Sequence, residues 1–213
     1  MHSHPALLTC RGWRLGNCYV PSFEVRAGEL VRIQFPNRAD VPRDEFQQAL
    51  CSAGDCSAVQ STGIVIANEC PVPRSRWRQI FHEQRAGEWF RERTGVSLAV
   101  SQSYLERVGL DPNTPLCHLA GNPRKLLAIQ AAHALHCDVL IFDTDGIDPL
   151  GMRSVLKAVV DQLGDSAAIY LASGYDRHEP EVAYSAVINV DCGPPELRIR
   201  PHVSPNNQAT SSS

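Results

Sequence analysis

Lysine is nearly absent from this chain of 213 residues, which holds only Lys125 and Lys157. No lysine occurs in the first 124 residues, so cationic chemistry in that part of the chain falls to arginine. The formal net charge of −3 at pH 7 excludes a global attraction to nucleic acid or to anionic lipid. We therefore expect no nucleic-acid partner.

Long apolar runs are missing as well, and no stretch reaches the roughly 18 residues that a membrane-spanning helix needs. The first residues, MHSHPALLTCRGWR, contain neither a long apolar segment nor a small-residue cleavage site, so no signal peptide is predicted. These observations favour a cytoplasmic location, with membrane association only through a partner. The hydrophobic content of 43% and the charged content of 20% are ordinary for a globular domain.

The eight cysteines form no C-x-x-C pair. Because secretion is not predicted, buried free thiols are the expected state rather than disulfides. Cys117-His118 and His133-x-x-His136-Cys137 could together form a zinc site, since residues three apart share a helix face. The favoured alternative is that these residues are ordinary core and surface positions of one helix.

Hydrophobic patterning divides the chain into a strand-rich start and an alternating second half. LLTCRGWRL, CYVPSFEVRAGE, LVRIQFP and STGIVIAN have the patterns of strands. Helical spacing follows over residues 74–93 and again in the Ala/Leu-rich stretch 123–136. The buried strand VLIFD, a helix and further strands then alternate. This order predicts an α/β fold with a mainly parallel sheet, helices on both faces and an N-terminal antiparallel patch.

The segment VLIFDTDGIDP runs four apolar residues directly into Asp143, with Asp145 and Asp148 close behind. FDTDGI resembles the first motif of the haloacid-dehalogenase-like phosphohydrolases, in which Asp143 would be the nucleophile and Asp145 the general acid/base. That reaction needs a cation beside the phosphorylated aspartate, which the family supplies from a later lysine. No lysine follows Lys157 here, so this interpretation is not favoured.

The order of several motifs resembles the ATP-binding domains of ABC transporters. In those domains a signature L-S-G-G-Q begins a helix, a buried strand ends in a magnesium-binding aspartate, and a D-loop G-L-D-P follows. The corresponding stretches here are LAGNP (119–123), VLIFD (139–143) and GIDP (146–149). VPSFEVRAGELVRIQFPN and YLASGYDRHEPEVAYSAVINVDCG resemble the family's strand pair and its switch segment. The similarity thus extends over residues 7–200.

This resemblance implies a P-loop NTPase-like domain over residues 1–204, with a small helical insert at about 72–118 and a disordered tail at 205–213. It also implies a nucleotide site in which Asp143 holds magnesium and Asp145 lies near the position of the catalytic glutamate. The other positions implied to contact nucleotide are Trp13 at the adenine, Asn37 and Arg38 in the phosphate loop, Leu119, Ala120 and Gly121 in the signature, Asp148 in the D-loop and Gly174 at the switch residue. Trp13 fits a buried aromatic near a strand end at least as well.

The departures from the family pattern fall on the reacting groups. FPNRADVPRDEF replaces the phosphate loop G-P-N-G-x-G-K-S/T, so the glycines and the lysine are gone and Asp44 adds negative charge. Thr144 replaces the glutamate that follows the magnesium-binding aspartate, and Gly174 replaces the switch histidine. Asn122 and Pro123 replace the second glycine and the glutamine of the signature, which removes an N–H donor from a helix start.

These departures favour a catalytically inactive partner or regulatory subunit of an ABC-type assembly, with no cofactor or only weakly bound MgATP. Its partner would be a second copy or an intact ATP-binding subunit, together with a membrane permease. An active ABC-type ATPase with an atypical phosphate loop is the alternative, because Asp143 and Asp148 are retained. If Asp143 is only residual, Asp143→Asn is expected to change the melting temperature little.

Overall fold

The structure of this protein is a computed structural model, which describes residues 6–36, 43–51, 56–58, 63–67, 83–174 and 182–193. Two small antiparallel sheets form the N-terminal part. In the first, β1 (Ala6–Cys10) lies between β4 (Phe23–Arg26) and β6 (Cys56–Ala58). In the second, β3 (Cys18–Val20) lies between β2 (Trp13–Leu15) and β11 (Asp191–Cys192). The predicted antiparallel patch is therefore confirmed.

A five-stranded sheet forms the centre of the described structure, and its four strand pairs are all parallel. The strands are β5 (Leu30–Gln34), β7 (Ile64–Ile66), β8 (Val139–Asp143), β9 (Ala167–Ala172) and β10 (Ala186–Asn189). Their order in the sheet is β10-β5-β9-β8-β7, which places VLIFD, the strand β8, in the interior of the sheet. The predicted mainly parallel sheet is confirmed.

Both faces of the parallel sheet are covered, which explains why VLIFD is apolar throughout. Leu140 and Phe142 belong to one buried cluster, which they share with four helices: α2 (Ala86–Thr94), α3 (Leu98–Arg107), α4 (Gly121–Ala134) and α5 (Pro149–Val160). Val139 and Ile141 belong to the opposite cluster, with the antiparallel strands and α1 (Arg43–Cys51). Successive residues of a strand point to opposite faces, so a strand covered on both sides needs apolar residues at every position.

Helices α2 and α3 form the described part of the predicted insert, whose residues 72–82 lie outside the described ranges. The insert closes on itself through the backbone. The N–H of Ala86 donates to the carbonyl of Thr114 at 2.9 Å, and the N–H of Leu116 donates to the carbonyl of Gln84 at 3.0 Å. Residues 84–86 are thereby fixed beside residues 114–116. A short 3-10 helix begins at the end of the second segment and covers Leu116–His118. The predicted tail at 205–213 also lies outside the described ranges.

The cysteines depart from the expectation of free thiols. Cys18 and Cys192 form a disulfide between the paired strands β3 and β11, and Cys10 is also disulfide-bonded. Cys18 and Cys192 are 174 residues apart in the chain, so only the folded topology brings them together. Cys117 and Cys137 are free. None of the helices in the described ranges is long and apolar enough to cross a membrane.

Candidate functional site

The candidate site lies at the edge of the parallel sheet where β5, β8 and β9 end. Gln34 at the end of β5 is paired with Ala172 of β9, and Asp143 at the end of β8 is paired with Leu171. The segment that follows β5 therefore leaves the sheet at the same edge that presents Asp143. Ligands of open α/β sheets bind beyond the carboxyl ends of the strands, so an acid at this position is in the usual place for a ligand site.

Asp143 forms a buried ion pair with Lys125 of α4. The Lys125 Nζ lies 2.6 Å from the Asp143 Oδ1, and the two side chains are only 8% and 11% exposed. The same carboxylate oxygen accepts the backbone N–H of Asp145 at 3.1 Å. Lys125 thus supplies, from within the chain, the positive charge that the carboxylate needs in a buried position.

Thr144, the next residue, is buried and makes a polar contact to the core. Its Oγ1 lies 2.9 Å from the Tyr170 Oη, in a hydrogen bond that either hydroxyl can donate. The Tyr170 ring stacks on Phe142, with the ring centroids 5.3 Å apart. A hydroxyl held in this way, with the high pKa of an aliphatic alcohol, cannot serve as a general base. Asp145 is exposed beside the cavity described below.

A cavity of about 980 Å³ opens in front of Asp143, between α1, α2 and the sheet. Its charged lining residues are Asp44, Glu92, Asp143 and Asp145 on the acidic side, and Arg93 and Lys125 on the basic side. Carboxylates therefore outnumber cations among the described lining residues, and Lys125 is already paired with Asp143. Phosphate oxygens would meet net negative charge in this part of the cavity.

Helix α1 begins where the phosphate loop of the resemblance would end. Its first turn carries Asp44 and Glu45, whose negative charge favours the positive end of the helix dipole. In a phosphate-binding helix the same end faces the ligand. Asn37 and Arg38, the predicted phosphate-loop residues, lie outside the described residues.

The stretch that resembles the signature begins α4. Leu119 is buried in the core, Ala120 is the extended residue before the helix, and Gly121 is its first residue. A Cβ atom on Gly121 would lie 2.5 Å from the carbonyl oxygen of Gly146, so glycine is required where α4 crosses the loop after β8. The signature segment therefore packs against the D-loop segment of the same chain.

Asn122 and Asp148 connect these two segments through reciprocal hydrogen bonds. The Asn122 Nδ2 donates to the Asp148 Oδ2 at 2.8 Å, and the Asp148 backbone N–H donates to the Asn122 Oδ1 at 3.3 Å. Asp148 also caps α5 by accepting the Gly151 N–H at 2.8 Å. The bonds from Gly151 and then from Asn122 lower the pKa of Asp148 below its usual value. Asp148 is thus fixed as a helix cap.

Trp13 and Gly174, the remaining predicted positions, lie at different places. Trp13 is buried in the core below the antiparallel strands and stacks on Phe46 of α1, with the centroids 5.2 Å apart. This placement favours packing over adenine stacking as the role of Trp13. Gly174 is half-buried in the turn after β9, two residues beyond Ala172 and hence at the same sheet edge as Asp143.

The two Cys/His clusters do not combine. Within the described ranges, Cys117 and His118 form a three-residue group with Glu83, in which all ligand atoms lie within 4.8 Å of one another. His133, His136 and Cys137 instead line a separate cavity of about 490 Å³. Burial lowers the pKa of His133 to about 4 and raises the pKa of Cys137 to about 11. The combined zinc site suggested by the spacing is therefore wrong.

Sequence reasoning missed Lys125 as a site residue. The available signal was a single lysine directly before the apolar stretch LLAIQAAHAL. This stretch precedes the apolar strand VLIFD, which ends in an aspartate. An isolated buried lysine needs a partner, and Asp143 is the buried acid closest at hand. Gln84 also lines the cavity, where its Nε2 donates to the Glu92 Oε2 at 2.6 Å.

No protein-family model matches the chain, and no curated protein matches it in sequence. Solved structures do match it in fold. An inward-facing ABC transporter assigned to the metal-chelate type aligns with a TM-score of 0.60 at 16% identity, over 78% of this chain and 72% of that chain.

Two further solved structures match the chain in fold. CbiO1 from Clostridium perfringens, part of the ABC transporter complex CbiONQ, aligns with a TM-score of 0.54 at 16% identity over 87% of each chain. A nucleotide-free ATP-binding cassette from an ABC transporter aligns with a TM-score of 0.59 at 15% identity, over 81% and 83% of the two chains. The chain therefore has the P-loop NTPase-like fold of the ATP-binding domains of ABC transporters.

Proposed function

We propose that this protein is an ABC-type ATP-binding-subunit-like protein that does not hydrolyse ATP and acts as a partner or regulatory subunit of an ABC-type assembly. The observation that supports this proposal best is the buried pair between Lys125 and Asp143. In the resembled domains the aspartate at this strand end holds the magnesium ion that accompanies ATP. Here a lysine ammonium occupies the contact that the metal would make.

The pair opposes magnesium binding in two ways. Mg²⁺ binds oxygen ligands at about 2.0–2.1 Å. The Asp143 Oδ1 already accepts a hydrogen bond from Lys125 at 2.6 Å and one from the backbone N–H of Asp145 at 3.1 Å. Displacing Lys125 would also leave its ammonium buried without a partner, which is typically unfavourable by about 3–5 kcal/mol. The residues at the end of β8 therefore do not fit a magnesium ion in this arrangement.

The environment of the phosphates supports the same proposal. A working phosphate loop encloses the phosphates with backbone N–H groups and reaches them with a lysine. Asp44 and Glu45 occupy the first turn of α1, and the only lysine that lines the cavity is paired with Asp143. We infer that MgATP binds weakly or not at all.

Hydrolysis would also lack a base and a switch residue. Thr144 bonds with Tyr170 in place of a glutamate beside the reacting water. Gly174 has no side chain with which to sense a phosphate. Asp145 is exposed at the cavity and is the remaining candidate for a base in the alternative of an active ATPase.

Partner recognition is the role that remains once catalysis is set aside. CbiO1 is described as part of the complex CbiONQ, and the metal-chelate-type structure is described as an inward-facing ABC transporter. By analogy we propose that this chain pairs with a second copy or with an intact ATP-binding subunit, and through it with a membrane permease.

Calorimetric titration of the full chain with MgATP tests the proposal, and phosphate release should be measured in parallel with the wild type and Asp143→Asn. We expect no micromolar binding and no turnover in either protein. Micromolar affinity together with ATP turnover that disappears in Asp143→Asn would overturn the proposal in favour of an active ATPase. Turnover of phosphate monoesters without ATP hydrolysis would instead favour the aspartyl-nucleophile interpretation.

A further inference from the structure

We propose that Glu83, Cys117 and His118 form a zinc-binding site at the junction between the helical insert and the signature segment. The Cys117 Sγ lies 2.9 Å from the Glu83 Oε1, and the His118 Nε2 lies 4.0 Å from the same oxygen. All three ligand atoms lie within 4.8 Å of one another. A tetrahedral zinc ion with bond lengths of about 2.0–2.3 Å separates its ligand atoms by about 3.3–3.6 Å, which lies within this range.

The backbone, rather than chance rotamers, brings the three side chains together. Glu83 precedes Gln84, whose carbonyl accepts the N–H of Leu116, and Leu116 precedes Cys117 and His118. The isolated bridge between Arg85 and Pro115 extends the same contact. Two backbone segments that are distant in the chain are therefore fixed side by side. Rotation of exposed side chains is then sufficient to adjust the distances to the metal.

The chemistry of the three groups favours zinc over magnesium and calcium. A thiolate, an imidazole and a carboxylate are the ligand types that Zn²⁺ accepts in proteins, whereas Mg²⁺ and Ca²⁺ require oxygen ligands alone. One thiolate and one carboxylate also balance the charge of the ion. Without metal, the Cys117 thiol donates to Glu83. On binding, the thiol proton passes to solvent, and the carboxylate changes from hydrogen-bond acceptor to metal ligand.

Three protein ligands leave a fourth tetrahedral position for water or for a donor from a partner. The ion would join the residue just before the insert helices to the 3-10 helix just before Leu119, and so would close the segment from 84 to 116 as a loop. Metal binding would then stabilise the position of the signature segment relative to the insert. This role is independent of whether ATP is bound, so the zinc test and the MgATP test can fail separately.

Cobalt and zinc titrations of the full chain, with its disulfides intact and with oxygen excluded to keep Cys117 reduced, test the proposal. We expect one Co²⁺ per chain with a sulfur-to-cobalt charge-transfer band, displaced by Zn²⁺. Zinc at 100 times its dissociation constant should raise the melting temperature by about 5–10 °C. Cys117→Ser should remove the band. His118→Asn and Glu83→Gln each alter a direct ligand, so each should weaken binding by at least the roughly 10- to 100-fold that loss of a hydrogen-bond partner of a metal ligand typically costs.

Two matched variants serve as controls. His136→Asn changes an exposed histidine elsewhere, at a left-handed φ of 51° that asparagine tolerates. Glu106→Gln changes an exposed carboxylate of α3. Both should bind metal like the wild type. A wild type that binds no cobalt at millimolar concentration, a band that persists in Cys117→Ser, or equal weakening in the control variants would each overturn the proposal.

Discussion

Replacing Lys125 by methionine tests the role assigned to the buried ion pair. Methionine keeps the length of the side chain but removes its charge, which leaves the Asp143 carboxyl group buried without its partner. Loss of one partner of a buried pair typically destabilises a protein by about 3–5 kcal/mol. For a chain of this size that corresponds to a fall in melting temperature of about 6–20 °C.

The chain provides its own control, because its other lysine is in an ion pair of the same length. Lys157 lies 2.6 Å from Asp161, but the two side chains are 74% and 55% exposed. Exposed pairs four residues apart on a helix contribute about 0.3–0.5 kcal/mol. Lys157→Met should therefore lower the melting temperature by no more than about 2 °C. The melting temperatures of both variants, measured by circular dichroism, then show the effect of burial alone, because the N–O distance is 2.6 Å in both ion pairs.

A double-mutant cycle and added magnesium complete the test. Asp143→Asn alone should also destabilise the fold, because it leaves Lys125 unpaired, and this replaces the expectation of little change drawn from sequence. The double variant should be more stable than the sum of the single changes by about 2–3 kcal/mol. Millimolar Mg²⁺ should raise the melting temperature of Lys125→Met but not of the wild type. Equal shifts for Lys125→Met and Lys157→Met, or a magnesium effect in the wild type, would refute the reasoning.

Three further predictions concern other parts of the fold. Burial holds the pKa of His133 at about 4, below its unfolded value of about 6.5, so protonation is favoured in the unfolded chain between these values. Stability should therefore fall as the pH decreases from about 6.5 to 4, by on the order of 3 kcal/mol, and His133→Gln should flatten this dependence in urea titrations. Changing both Cys18 and Cys192 to alanine should lower the free energy of unfolding by about 2–4 kcal/mol relative to the oxidised wild type. Relative to the reduced wild type, the difference should be much smaller. Gly121→Ala should destabilise the chain by about 1–3 kcal/mol through overpacking, whereas Gly193→Ala, which meets only an ordinary contact, should not; equal effects of the two changes would contradict the required close approach.

The elements that sequence could predict are those determined by local pattern. VLIFD is apolar at every position because its strand is covered on both faces, and Asp143 follows at the edge where parallel strands end. The order of strands and helices likewise predicts the parallel sheet. Local pattern was sufficient in these cases because the periodicity of a segment reflects how many of its faces are buried.

The pairs across the fold were not predictable in the same way. Lys125 is 18 residues before Asp143, and only the packing of α4 on β8 aligns the two side chains. Cys18 meets Cys192 through strand pairing across 174 residues, and Glu83 meets Cys117 through contacts that close the insert. Each pair depends on how distant segments are aligned in the folded structure, which the periodicity of a single segment does not determine. The haloacid-dehalogenase-like interpretation requires its lysine late in the chain, whereas the lysine that contacts Asp143 precedes it.

The same charges that stabilise this fold determine what the cavity can bind. Asp143 is compensated by Lys125, and the positive end of α1 faces its own Asp44 and Glu45. In a nucleotide site the magnesium ion and the phosphates would provide these two compensations. A protein that provides both internally is already stable without ligand and gains less from binding one. This internal balance supports the proposed function, because a fold that supplies both charges itself does not depend on ATP for them, which suits a partner subunit better than a hydrolysing enzyme.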